Sequence, residues 1–328
     1  MQTIHAHSLS ESDATDQVGD APPSAPYTPP FYSRVLSAVV AFGPPVLLLF
    51  VIFRGTGGPV RWWNIALAVA FVVVIGHAVT VGFHRLFTHR SFVAKRPLKI
   101  ALAIAGSMSF QGSMIGWVAD HRRHHRYSDR AGDPHSPWVQ GDQAVGGLRG
   151  LWHAHIGWCF TNEPTSRTEF APDLLADPDL VFIDKLFVPC CVATLALPFA
   201  IGYVLYGTLA GAVGALLLAG ILRIGFSHNV TWAINSVCHR FGRQPFRSHD
   251  QSRNVAGLAL FSMGESWHNA HHAFPRSARH GVERHQLDSS AVLIRLFERL
   301  GWATNVRWPD PVQVAARRVA RPSPLPVR

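Results

Sequence analysis

Four apolar runs interrupt an otherwise polar chain, and their lengths suggest the architecture. Residues 35–53 (VLSAVVAFGPPVLLLFVIF) and 64–83 (NIALAVAFVVVIGHAVTVGF) carry no charged side chain. Each comes close to the roughly 20 apolar residues a helix needs to cross a bilayer. Gly43-Pro44-Pro45 kinks the first run, which is tolerable where neighbouring helices cover the freed carbonyls. The turn Arg54-Gly-Thr-Gly-Gly-Pro59 joins the two as a hairpin, and Trp62-Trp63 anchors the second at the interface. Runs 186–206 and 208–226 meet at Tyr206-Gly207 and form a second hairpin.

The stretch 98–118 (LKIALAIAGSMSFQGSMIGWV) is long enough to span, but Gly106, Ser107, Ser109, Gln111, Gly112 and Ser113 make its second half polar. We read it as an interfacial or re-entrant element lying against the bilayer. The pattern thus predicts an all-α protein: four transmembrane helices in two hairpins, with polar segments 119–183 and 227–310 gathered on one side as a cap. The domain reading is a Ser-, Asp- and Pro-rich head, 1–30, expected to be disordered and unlike a signal peptide. A membrane domain, 31–310, follows, then a solvated basic tail, 311–328.

Composition supports a membrane protein. The chain of 328 residues is 48% hydrophobic and only 15% charged, too apolar for an ordinary soluble enzyme. Its net charge of +10 could serve nucleic acid, an anionic membrane face or an acidic partner. No nucleic-acid motif is present, and the basic residues cluster beside apolar runs. Arg85, Arg90, Lys95, Arg96, Lys99 and Lys185 flank span ends on the cap side, whereas Arg54 and Arg61 lie in the opposite hairpin. The balance places both termini and the cap in the cytoplasm. The four cysteines form no CxxC pair and read as reduced thiols.

The histidines change the picture from architecture to chemistry. His121, His124 and His125 stand at i, i+3 and i+4, so on a helix they share a face. The spacing returns at His268, His271 and His272, and His84 and His89 follow the second apolar run. Neutral imidazole binds iron, zinc or copper, and eight such histidines exceed one metal's needs, so two metals are the economical count. No HExxH zinc motif occurs, and carboxylates are sparse. Asp120 and Glu265 are read as partners that orient imidazoles through their second nitrogen. His77, inside the second run, reads as a packing or hydrogen-bonding residue. His5, His7, His153, His228, His249, His280 and His285 lack the box spacing and read as ordinary polar residues; His135 and His155 remain open between packing and support.

Three stretches carry a family resemblance: His84-Arg-Leu-Phe-Thr-His89, His121-Arg-Arg-His-His125 and His268-Asn-Ala-His-His272. With Asp133-Pro134-His135, His155-Ile-Gly-Trp158, Asn235-Ser-Val-Cys-His239 and the Gly264–Pro275 text, the chain resembles integral-membrane fatty acid desaturases over residues 60 to 300. The match is closest to the acyl-CoA delta-9 (stearoyl-CoA) type. The resemblance implies a ninth ligand, His239, a water-mediated contact from Asn235, and two iron ions. It implies that Gln111, Trp117 and Trp232 line an acyl tunnel. It also implies an O2-dependent reaction that leaves a cis double bond in a fatty acyl chain, most simply acyl-CoA.

Ala119 and Cys159-Phe-Thr-Asn-Glu163 stand where relatives that take acyl-CoA carry basic residues, so lipid-linked and carrier-linked chains stay open. With no dinucleotide fingerprint or fused haem signature, electrons are expected from a separate ferredoxin or flavin reductase. The rival readings are a membrane hydroxylase with the same boxes and, from another class, a metal transporter. In a transporter the ligands would sit near the bilayer midplane.

Overall fold

The structure, a computed structural model, describes residues 29–54, 62–161 and 163–319. The expectations for the head 1–28, the first hairpin turn and the end of the tail lie outside those residues. The described chain is mostly helical, with two small antiparallel pairs, Val93–Ala94 with Ala303–Thr304 and Val139–Gln140 with Gln143–Ala144.

Four helices are long and apolar enough to cross a bilayer: Phe31–Phe53, Trp62–Thr88, Phe187–Tyr206 and Leu209–Ser236. Helix α1 runs Phe31–Arg54 and keeps Pro44 and Pro45 inside it. The second, α2, is α-helical over Trp62–His77 and π-helical over Ala78–Thr88. It therefore runs past the apolar stretch, and His84 lies in its last turns rather than beyond its end. Helix α3 (Arg96–Ser107) is too short to cross, at about 18 Å from a 1.5 Å rise per residue. The chain then breaks at Phe110 and Gly112, both at positive φ, before α4 (Met114–Tyr127). The 98–118 stretch is thus two elements, and neither is a through-going span.

Helix α5 (Gly147–His155) leads through short turns to α6 (Pro178–Lys185), α7 (Phe187–Tyr206) and α8 (Leu209–Ser236). Gly207, at φ +64°, closes the α7–α8 turn in the left-handed region that favours glycine. A Cβ on Gly202 would come within 2.5 Å of Ala215 Cβ, so small residues let α7 and α8 approach closely, as lipid-embedded helices do. Helix α8 runs ten residues beyond the expected 226. The polar residues there are absorbed by the helix itself: His228 Nδ1 lies 2.9 Å from Ile224 O, and Asn229 Nδ2 donates to Gly225 O.

The cap is completed by α9 (His268–Ala273), α10 (Ser289–Arg299) and α11 (Pro311–Arg317). The tail is not wholly solvated. Val314 packs against the cluster of Phe246, Ala270 and Ala273, and Arg317 donates to Ala273 O at the end of α9.

Candidate metal centre

The nine predicted histidines converge from four segments onto one buried spot. The His84–His89 spacing is explained by the π-helix. In an α-helix residues five apart diverge by about 140°. The i→i+5 turn, with His89 N donating to His84 O at 3.1 Å, brings the rings to 4.8 Å. Helix α4 presents His121, His124 and His125, α9 presents His268, His271 and His272, and His239 sits in the turn after α8.

Ring nitrogens fall into two groups, within each of which all lie within 4.8 Å of one another. One comprises His84, His89, His121, His125 and His271; the other His124, His239, His268 and His272. Asn235 and Trp117 line the cavities beside them.

The donor set fits metal ions. Glu265 Oε2 lies 2.7 Å from His84 Nδ1, Asp133 3.0 Å from His124 Nδ1 and Asp129 2.9 Å from His239 Nδ1; Asp250 meets His272 Nδ1. Burial alone would raise these acids. The facing His124 nonetheless holds Asp133 below the usual carboxylate range, as His239 does Asp129 and His272 does Asp250, while Arg85 and His280 hold Glu265 down. Asp133, Asp129 and Asp250 therefore accept hydrogen bonds from Nδ1–H of His124, His239 and His272, which leaves each Nε2 lone pair free, while Glu265 Oε2 sits against His84 Nδ1. His239 Nε2 and His272 Nε2 then both face His268 Nε2, at 2.9 and 3.1 Å. One ring cannot supply protons to both from one nitrogen, whereas a cation among them satisfies all three. His89 Nε2 and His124 Nε2 are buried with no hydrogen-bond partner.

Three sequence readings need correction. Asp120 orients no imidazole: it bonds Thr165, and burial raises its pKa. His280 is not ordinary, because its Nδ1 lies 3.0 Å from the Glu265 oxygen that also holds His84. Arg85 is not a solvent-facing topogenic charge. It is fully buried, bonded to Glu265 at 3.0 Å and Asp288 at 2.9 Å. Asp129, Asp133 and Asp250 went unassigned in the sequence. The available signal was that each ligating histidine needs an acceptor on its other nitrogen, and few carboxylates lie in the loops beside the boxes. His77, by contrast, hydrogen-bonds Val73 O and Ser289, as expected. His135 packs on the His124 ring at 4.4 Å and takes a support position.

Two cavities reach the cluster from the membrane side. One, of about 420 Å³, passes Phe187, Trp158 and Trp232 to His121; the other runs between α2 and α8 past Gly76, Phe226 and Met263 to His84 and His268. They share Gln111, Trp117, His121, Thr231 and Asn235. At that junction Gln111 donates to Thr231 Oγ1 at 3.0 Å and accepts from Trp117 Nε1 at 3.2 Å. Trp232 lines only the first cavity.

Burial holds His89, His121, His125, His268 and His271 well below the ordinary imidazole value, and His272 at about 4. In the unfolded chain these rings titrate near 6.5. Between about pH 6.5 and 4 the unfolded state binds more protons, so stability falls as pH falls through that window. His239 runs the opposite way: burial lowers it, but Asp129 raises it more. Six rings outweigh one. The melting temperature of the metal-free chain should drop steadily from pH 7 to 5, and that of the metal-loaded chain more steeply, since protons compete for the ligands. A flat profile in thermal-shift assays would contradict the buried-neutral assignment.

Comparison with known proteins agrees with this geometry. Residues 60–308 match the sequence profile of the fatty acid desaturase family. A hex-5-enoyl-(acyl-carrier protein) acetylenase from Moorena producens is 40% identical over 267 residues, covering 79% of this chain and 83% of its own. An acyl-CoA C20 delta-5 desaturase from Anemone leveillei is 36% identical over 256 residues (76% and 76%). An sn-1 stearoyl-lipid 9-desaturase from Anabaena variabilis is 35% identical over 243 residues (73% and 81%). The chain belongs to the fatty acid desaturase family.

Proposed function

We propose that this protein is an O2-dependent fatty acyl desaturase that places a cis double bond, at the delta-9 position, in a saturated chain presented as its CoA thioester. The nine histidines hold two irons, with Asn235 reaching one through water. When bound, the iron pair supplies the O2-activating chemistry that removes hydrogen from an unactivated chain. The observation that carries the reading is the meeting of two cavities at Gln111 and Trp117, directly beside His121.

This chain's own residues do the positioning. The acyl chain passes Trp232 and bends at the Gln111–Thr231 pair, with its methyl end toward Gly76 and Met263. Trp117 stacks on His121, ring centroids 5.1 Å apart, and fixes where the reacting carbons lie; a misplacement of about 1 Å can cost about 100-fold in rate. Asp129, Asp133 and Asp250 accept hydrogen bonds from Nδ1–H, Glu265 flanks His84 Nδ1, and together they keep the Nε2 lone pairs aimed inward.

The delta-9 position follows the name of the Anabaena variabilis relative. The CoA thioester follows the names of relatives such as the Anemone leveillei desaturase. Carrier-protein and lipid esters, which other relatives' names specify, are the alternatives. The cap and both termini face the cytoplasm, and electrons arrive from a separate protein.

Expression in a host fed a defined saturated acid, with gas chromatography of derivatised methyl esters, tests the reading. A cis-9 monoene appearing first in the acyl-CoA pool is expected. Hydroxylated chains without a new double bond would replace the reading with the hydroxylase.

The depth of the second cavity sets chain length. A Cβ on Gly76 would collide with Met263 Cε, the free end of a flexible side chain. Gly76→Leu is therefore expected to push that thioether into the cavity. In competition assays it should shift preference toward shorter chains by roughly 10–200-fold, the worth of a methylene or two in an apolar pocket. Unchanged selectivity would remove the methyl end from this cavity.

A further inference from the structure

A third cavity, of about 550 Å³, touches the histidine cluster from a side that the two acyl cavities do not share. Its wall carries Arg90, Arg122, Arg126, Arg130 and Arg276, against one lining acid, Asp250, which is already committed to His272. Arg90 and Arg122 share Asp173, and Arg126 pairs with Glu169. Arg130 makes only a 3.5 Å bond to His249 O, and Arg276 has no partner among the described residues. Both are exposed. The floor of the cavity is formed by His89, His125 and His272. The first two belong to the five-histidine group and the third to the four-histidine group.

We infer that this arginine-walled cavity is the docking site of an acidic one-electron carrier protein, and that electrons enter through the imidazoles of His89, His125 and His272. The inference rests on the proposed function. The reaction converts a saturated chain, O2, two electrons and two protons into the alkene and two waters, so the reduced carrier must deliver twice per turnover. A carrier seated here is one imidazole ring from each ligand group without obstructing the acyl path. The separation is a consequence of the cluster itself: His84, His121 and His268 face the acyl cavities, whereas His89, His125 and His272 face the arginines. The two guanidinium groups with no acidic partner, Arg130 and Arg276, raise the local concentration of an acidic protein and steer its approach, more strongly at low salt.

The test uses iron-loaded full-length protein and a reduced plant-type two-iron ferredoxin as the probe, with stopped-flow detection of ferredoxin oxidation. For the double variant Arg130→Glu/Arg276→Glu the second-order rate constant should fall at least about tenfold at low ionic strength. The difference should close near 0.5 M salt, where the Debye length is only a few ångströms. Iron content and reduction by dithionite should stay at wild-type values, and Arg149→Glu, outside that wall, should leave the rate unchanged. A double variant within about twofold of wild type, or a wild-type protein that does not oxidise reduced ferredoxin, overturns the docking site. A chain that binds no iron instead defeats the functional reading, and the iron measurement separates the two failures.

Discussion

His268→Ala is expected to abolish desaturation and to release one metal while the other stays bound. His268 is 2% exposed, and its Nε2 is the point on which His239 and His272 converge. Its group has four histidines, whereas the neighbouring group has five. Removing one nitrogen from the smaller group leaves three, and the ion also loses the ring that closes its site. Because each site is assembled from distant segments, ligand loss acts on metal affinity first. Metal analysis should show half the wild-type content per chain, with no monoene produced. The fold should persist, because α9 is also held by Asn269, which bonds both backbone groups of Phe246. Full metal retention in the variant would remove His268 from the ligand set.

Arg85→Ala should be the most destabilising single change, costing about 3–5 kcal/mol. The Arg85 guanidinium is fully buried and ties three elements together: the π-segment of α2, Glu265 ahead of α9, and Asp288 at the start of α10. It also donates to Ala278 O at 2.8 Å. Asp288 in turn caps α10 through Ala291 N and accepts from His280 N. Deleting the cation strands two buried carboxylates, one of which orients His84. Denaturation of detergent-solubilised protein should show the loss, with weakened metal binding at the five-histidine group. A shift below about 1 kcal/mol, the range of an exposed pair, would contradict a buried keystone role.

The sequence was most informative where a signal is local. The apolar runs named the four membrane helices because bilayer thickness imposes length directly. The HxxHH spacing put three imidazoles on one helical face because 3.6 residues make a turn. His84 and His89 were also legible as a pair, but their alignment depends on a π-helix that no residue pattern announced. The end of α8 was missed for a similar reason. The polar residues from Ser227 onward look like the end of a span, yet the side chains of His228, Asn229 and Thr231 bond carbonyls of the helix or of Phe110.

Least legible were the partners of the histidines. Asp250 reaches His272 from 22 residues away and Asp129 reaches His239 from 110. Asp120, adjacent to the second box, points elsewhere and bonds Thr165. Nearness in sequence misled there because α4 turns its neighbour away from the cluster. The same long-range folding decides which histidines face the acyl cavities and which face the arginines.

Loaded with two irons, the histidine cluster is expected to remove two hydrogens from a bound acyl chain. The direct measurement is product mass and O2 uptake with purified, iron-loaded protein, a chemical reductant and a saturated acyl-CoA. One monoene is expected per O2 consumed once the reductant's own O2 uptake is subtracted, and none with the His268→Ala protein. A hydroxylated product, or O2 uptake with the acyl chain unchanged, would contradict it.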